Sequence, residues 1–184
     1  MLFLLSFSSL PSFFYLNTLS FYMPSIRLSK ILLVAAVAFN FTLIATNNLL
    51  DYDSNYNFLG HVISMDTTFP GNSLMWRSIT SPVTHTILYI LVILSEFTIA
   101  VLLWIGVYRC LKMLKRGANA FNASKKTAIW GLTLSLLLWL VPFLTIGGEW
   151  FAMWQSHDWN GIFPALKYFA ISGIVLLYLN MKDE

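Results

Sequence analysis

The chain has 184 residues, 58% of them hydrophobic and 10% charged, with a formal net charge of +3 and a mean hydropathy of +0.70. That composition excludes a soluble globular domain, and the long continuous apolar runs exclude a transmembrane β-barrel, whose strands would alternate apolar and polar positions. A single cysteine, Cys110, excludes an intrachain disulfide, a CxxC pair and a cysteine-built metal site, while the bases flank apolar runs, where membrane topology explains them without any nucleic-acid role.

Residues 1–22 are apolar and uncharged but interrupted by Pro11 and Asn17-Thr18, with neither the basic start nor the small-residue cleavage site of a secretory signal. They read as an upstream extension or a disordered apolar segment, and the membrane domain is expected over 23–184. A first span of about 28–46 follows Arg27 and Lys30, and its Ala35, Ala38, Thr42 and Ala45 form a small-residue stripe for close helix approach. The polar interval 47–81 comes next. In it Asp53 or Ser54 can cap a short helix whose Phe58, Val62 and Met65 share a face. Phe69-Pro70-Gly71-Asn72 is a turn signal, and a second short helix from about Ser73 would set Trp76 at the membrane interface. Ser81 and Pro82 suit the N-cap and first position of a second span, about 82–108. A third span is expected over about 127–148, bent at Pro142. The fourth covers about 162–180, after the short interval 149–161.

Charge sets the threading. Arg27 and Lys30 precede the first span, and the interval 109–126 carries six bases and no acid, whereas the intervals 47–81 and 149–161 hold Asp51, Asp53, Asp66, Glu149 and Asp158 against Arg77 alone among Lys and Arg. The positive-inside rule then places both termini in the cytoplasm. The expected fold is an all-α membrane protein: a four-helix transmembrane bundle, N-in and C-in, with a partly helical extracytoplasmic loop between helices 1 and 2. Trp76, Trp150, Trp154 and Trp159 fit an outer aromatic belt, and Trp104, Tyr108 and Trp130 an inner one.

Three stretches carry a resemblance. HVISMDTTFPGNSLMWRSI (61–79), IGGEWFAMWQSHDWNG (146–161) and the start MPSIRLSKILLVAAVAFNFTLIATNNLLDYDSNYNF from Met23 resemble the bacterial family of predicted small integral membrane proteins of unknown function, domain of unknown function 2165. The resemblance implies a four-helix protein of the bacterial inner (plasma) membrane whose outer loops carry the family signature. It implies no reaction.

Glu96 is the sharpest single candidate, because an ionisable group at mid-span costs about 2.5–3.5 kcal/mol on insertion scales and turns toward the bundle interior or a cavity. His85, Tyr89, Val92, Glu96 and Ala100 share one helix face, which links the outer surface to the membrane centre. One reading is a proton or cation path; the other is a structural carboxyl hydrogen-bonded to Ser135 or Thr42. Lys167 is expected to snorkel toward Glu149 or Asp158. Outer-loop candidates are Asp53, His61, Asp66, Arg77, Glu149, Trp150 and Trp154, with Asp66 and Arg77 expected to pair across the turn. The histidines, His61, His85 and His157, have no metal-ligand spacing, and no nucleophile motif or phosphate cradle is present. The functional expectation is a non-enzymatic accessory or scaffold subunit, without cofactor or metal. Its outer loops would contact a membrane or periplasmic protein partner or a second copy, amid membrane lipids. The alternative is a small proton- or ion-coupled transporter or channel component using Glu96.

Overall fold

The computed structural model describes residues 12–183, with side chains from Pro24 onward. The reading of residues 1–11 as an extension or disordered apolar segment lies outside the described residues, whereas residues 12–22 are helical and continuous with the first span. Its elements are α1 (Ser12–Leu50), α2 (Tyr52–Ser64), α3 (Pro82–Met113), α4 (Ala118–Ser124), α5 (Lys126–Leu138), a π-helix over Trp139–Trp150 and α6 (Ile162–Asn180), with 3-10 turns at Met75–Arg77 and Met153–Gln155. Among the described residues, four helical stretches are long and apolar enough to cross a membrane: Pro24–Leu50, Pro82–Met113, Ala118–Trp150 and Ile162–Asn180. The four expected spans are present, and the first three are longer than expected. α1 runs on to Leu50 because Asn47 and Asn48 stay helical, and α3 continues to Met113 before its basic flank ends it.

α1 and α3 pack antiparallel, and α2 carries the same register past the break at Asp51. The pairs run from Trp104 Nε1 donating to Thr42 Oγ1 (3.1 Å), through Asn48 with Glu96, to Tyr52 against Tyr89 and Tyr56 against His85. α1 and α2 thus form one bent arm along α3. The small-residue stripe of α1 belongs to this packing, with Ala38 and Ala45 fully buried.

α2 begins earlier than Asp53. Its N-cap is Asp51, which takes no N–H through its side chain and instead accepts from Ser54 Oγ at 2.8 Å. Phe58 packs against the cluster in which Val62 and Met65 are buried, as the shared face required. The Pro-Gly turn closes with Asn72 N–H donating to Phe69 O at 3.2 Å and Gly71 at φ +76°, a conformation that Cβ disfavours. Ser81 Oγ caps α3 by accepting from Thr84 N–H, with Pro82 in the first turn. In the third span the winding widens to π geometry at Trp139, three residues before Pro142. Proline lacks the N–H and its ring crowds the preceding turn, and the wider winding accommodates both.

At the end of the bundle opposite the long loops, the bases are not all free flanks. Arg27 and Lys30 are buried, and both pair with Asp183 beyond the end of α6. Arg27 also donates to Leu114 O (2.9 Å) and Arg116 O (2.6 Å), and Lys30 to Met181 O (2.6 Å). Lys125, equally buried, donates to Met181 O (2.9 Å) and Asn122 Oδ1 (2.7 Å). The C-terminal tail is therefore a latch joining α1, α4, α5 and α6. Burial pushes the Asp183 carboxyl up, but hydrogen bonds from Arg27 and Lys30 outweigh it and hold the group below its ordinary value. The latch therefore contributes fully above the usual carboxylate range, and its contribution is lost as pH falls through the lowered value.

Two measurements follow. Asp183→Ala leaves buried cations uncompensated and is expected to cost about 3 kcal/mol, read as a lower thermal midpoint in detergent at neutral pH and a smaller difference in acid. At the α3–α5 crossing, a Cβ on Gly106 would lie 2.7 Å from the Ala128 backbone nitrogen, whereas one on Gly131 would meet mainly the movable end of Leu103. Gly106→Ala should therefore destabilise by about 1–3 kcal/mol and Gly131→Ala by distinctly less.

Candidate functional site

The loop end of the bundle is a cap with its own core. Val62, Ile63, Met65, Phe151, Ala152 and Met153 are buried together, with Phe58, Leu74, Ile79 and Trp159 packed on them. Polar ties hold the two loops as one body. Gln155 Oε1 accepts from Phe69 N–H (3.1 Å) and Asn72 Nδ2 (3.2 Å), and the Thr67 and Ser156 hydroxyls meet at 2.8 Å, while within the longer loop Ile79 N–H donates to Ile63 O at 2.8 Å. Ala152 sits at φ +53°, turning the chain from the π-helix into the Met153–Gln155 turn.

The expected Asp66–Arg77 pair does not form. Asp66 instead meets His61 Nδ1 at 2.8 Å, and the His61 ring stacks on Trp159 at 4.5 Å. Arg77 lies against the rings of Trp150 (4.4 Å) and Trp76 (5.2 Å) and donates to Trp150 O at 3.2 Å. Aromatic faces take a weakly hydrated guanidinium readily, and the short loop back from the π-helix brings Trp150 nearer than Asp66. Trp154 packs edge-on to Phe69 at 5.8 Å. Asp53 is exposed in the first turn of α2, and Glu149 is exposed near the end of the π-helix. His157 is fully exposed, and its hydrogen bond to Asp158 lifts it above the ordinary histidine value. Lys167 reaches neither Glu149 nor Asp158; its ammonium lies 4.6 Å from the Tyr168 ring centre.

Beneath the cap is a cavity of about 430 Å³ bounded by α1, α2, α3, the π-helix and α6. Its inner end is polar. Asn48 Nδ2 donates to Glu96 Oε2 at 2.6 Å, and Tyr89 O–H donates to Asn48 O at 2.9 Å. Neither Ser135 nor Thr42 is the partner of Glu96, because Ser135 is bonded to Ser172 at 2.7 Å and Thr42 donates to Ala38 O. Of the proposed helix face, Tyr89, Val92 and Glu96 line the cavity, while His85 Nε2 is engaged at 2.8 Å by Ile79 O in the cap. The walls are aromatic and aliphatic, including Phe58, Trp139, Phe143 and Tyr168. Exposed Asn47, Asn55, Asn160 and Pro164 mark the mouth, between the α1–α2 junction and the start of α6.

Sequence reasoning missed Asn48, Trp139 and Tyr168. One signal was available: Trp139 is the tryptophan that fits neither belt, since it falls inside the third span. It is buried, stacked on Tyr168 at 4.9 Å, and its indole N–H has no acceptor. Among the described residues, no three His, Cys, Asp or Glu side chains come together as a metal site.

Four apolar helical spans around a polar-ended cavity define an integral, multi-pass membrane protein. The chain belongs to the family of predicted small integral membrane proteins DUF2165, whose model matches residues 26–182. No curated protein and no solved structure matches it.

Because Arg77 ties the two loops through Trp76 and Trp150, Arg77→Ala should loosen the cap alone. Hydrogen exchange is expected to speed up in residues 65–81 and 149–161 by roughly tenfold, as loss of about 1–2 kcal/mol would give, with α5 unchanged.

Proposed function

We propose that the protein is a small, non-enzymatic accessory subunit of the membrane whose working part is the capped cavity, and that it acts by holding a small molecule there. The observation that carries this reading is a recess of about 430 Å³, open at its mouth, between aromatic walls and a polar inner end. That volume lies within the range of about 300–1,000 Å³ typical of small-molecule sites, and its mostly apolar lining with a few convergent polar groups is the usual pattern of such sites. The charge asymmetry supports placing the Asp183 latch in the cytoplasm and the cap on the opposite side, so the cavity would fill from that side or from the adjoining leaflet.

Ion-coupled transport through Glu96 has less support. On the latch side of Glu96 the interior is closed by Phe41, Ala100, Leu103 and Leu132, all buried and apolar. A carboxylate above such a plug ends a recess and does not continue a path.

The cavity reading is tested by occupancy. Protein taken directly into polymer-bounded native nanodiscs should release a small molecule in near-stoichiometric amount on organic extraction and mass spectrometry. Val92→Trp, which fills the cavity from α3, and Leu59→Trp, which fills it from α2, should lose that species while keeping a normal thermal midpoint. An extract unchanged by both substitutions would refute the reading.

A further inference from the structure

Resting on the cavity reading, we propose that the occupant is an organic ammonium: a positively charged nitrogen paired with Glu96, carrying an apolar body that lies against the aromatic walls. Three observations converge on this class.

The first is the state of Glu96. Its side chain is buried, one oxygen accepts from Asn48, and the other accepts nothing from the described residues. Among the described residues no cation pairs with it, although buried carboxylates in an apolar surround are otherwise found paired. The contrast with Asp183 is direct, since that buried carboxylate is met by Arg27, Lys30 and Lys125. At the loop end the protein supplies only a neutral amide, so the place of the cation is left to a ligand.

The second is the sign of the lining. Among the described residues that line the cavity, Glu96 is the one carboxylate and none is Lys, Arg or His. Lys167, on α6 next to the wall residue Tyr168, is exposed, lies over the Tyr168 ring and is not part of the lining. Asp51 and Asp53 are exposed at the α1–α2 junction beside the mouth. Among the described residues, an anionic head would meet no counter-charge from the lining itself.

The third is the wall. Tyr89, Trp139, Phe143 and Tyr168 surround the inner part, and aromatic rings are the side chains that attract an alkylated ammonium through their negative faces while also receiving its apolar groups. The four asparagines of the lining, Asn47, Asn48, Asn55 and Asn160, add polarity without charge. They solvate a head group on its way in and do not compete with Glu96.

The probe is benzyltrimethylammonium, set against neopentylbenzene, its isostere with carbon in place of the charged nitrogen. Both are titrated by calorimetry into the full chain in lipid nanodiscs, after detergent exchange has removed any native occupant. The ammonium is expected to bind at one saturable site at least tenfold tighter than the isostere. Glu96→Gln, which keeps an oxygen for Asn48, should erase that preference and leave the binding of the isostere unchanged. Equal affinities for the two probes, or a preference that survives in Glu96→Gln, would overturn the ammonium assignment while the cavity stands. If neither probe binds, and Val92→Trp behaves as the wild type does, the cavity reading falls with it. Should Glu96→Gln fail to fold, the comparison of the two probes on the wild type decides alone.

Discussion

The end of α1 is fixed by one residue used twice. Asn48 lies in the last turn of the helix, where carbonyls lose their intrahelical donors, and in an apolar bundle an unmet carbonyl costs several kcal/mol. Tyr89 supplies the missing donor to the Asn48 carbonyl, and the Asn48 side chain in turn donates to Glu96. With its last turn satisfied from α3, the chain can break at Asp51 and set off again as α2 in the same register. Without that break the arm would run straight on, and neither the cap nor the cavity beneath it would form.

The two ends of the bundle meet the same constraint in opposite ways. At the latch end, charge is neutralised within the protein: three buried cations converge on Asp183 and on the carbonyls of Leu114, Arg116 and Met181. Between the ends the interior is apolar, with Ser135 and Ser172 satisfying each other. At the cap end the carboxylate is given half of what it needs. A close helix approach, Gly106 against Ala128, lies in the same helix as Glu96 but toward the latch, so the bundle is close-packed where it is closed and open where it is polar.

Much of the architecture was legible because hydropathy, turn chemistry and helix caps are local signals. The four spans, the Pro-Gly turn, the Ser81-Pro82 start and the shared face of Phe58, Val62 and Met65 all come from residues close in sequence. What escaped is what depends on register between distant segments. Asn48 and Glu96 are neighbours because α1 and α3 are antiparallel with a particular offset, and no spacing rule pairs position 48 with 96. Charge was legible only as topology: Arg27 and Lys30 read as bases flanking the first span, and nothing in the sequence showed that both are buried on a tail, MKDE, that carries no motif. Asp66 and Arg77 looked like partners because they flank one turn, whereas an aromatic surface from the second loop reaches Arg77 first.

The π-helix ties these strands together. Pro142 cannot supply an N–H to the preceding turn, and the wider winding that absorbs the defect begins at Trp139, the residue whose ring forms part of the cavity wall. Extra width turns Trp139 onto Tyr168 of α6 and Phe143 of its own helix, at ring distances of 4.9 Å and 4.8 Å. Positions 139, 143 and 147 are four residues apart, a spacing that keeps them on one face of the helix, toward the cavity. Gly147 and Gly148, both buried, then let the backbone pass under Met153 and Ile162 without side chains filling the space above Glu96. A defect in helical winding, small residues beyond it and an amide-bonded carboxylate opposite are what keep this part of an otherwise close-packed bundle hollow.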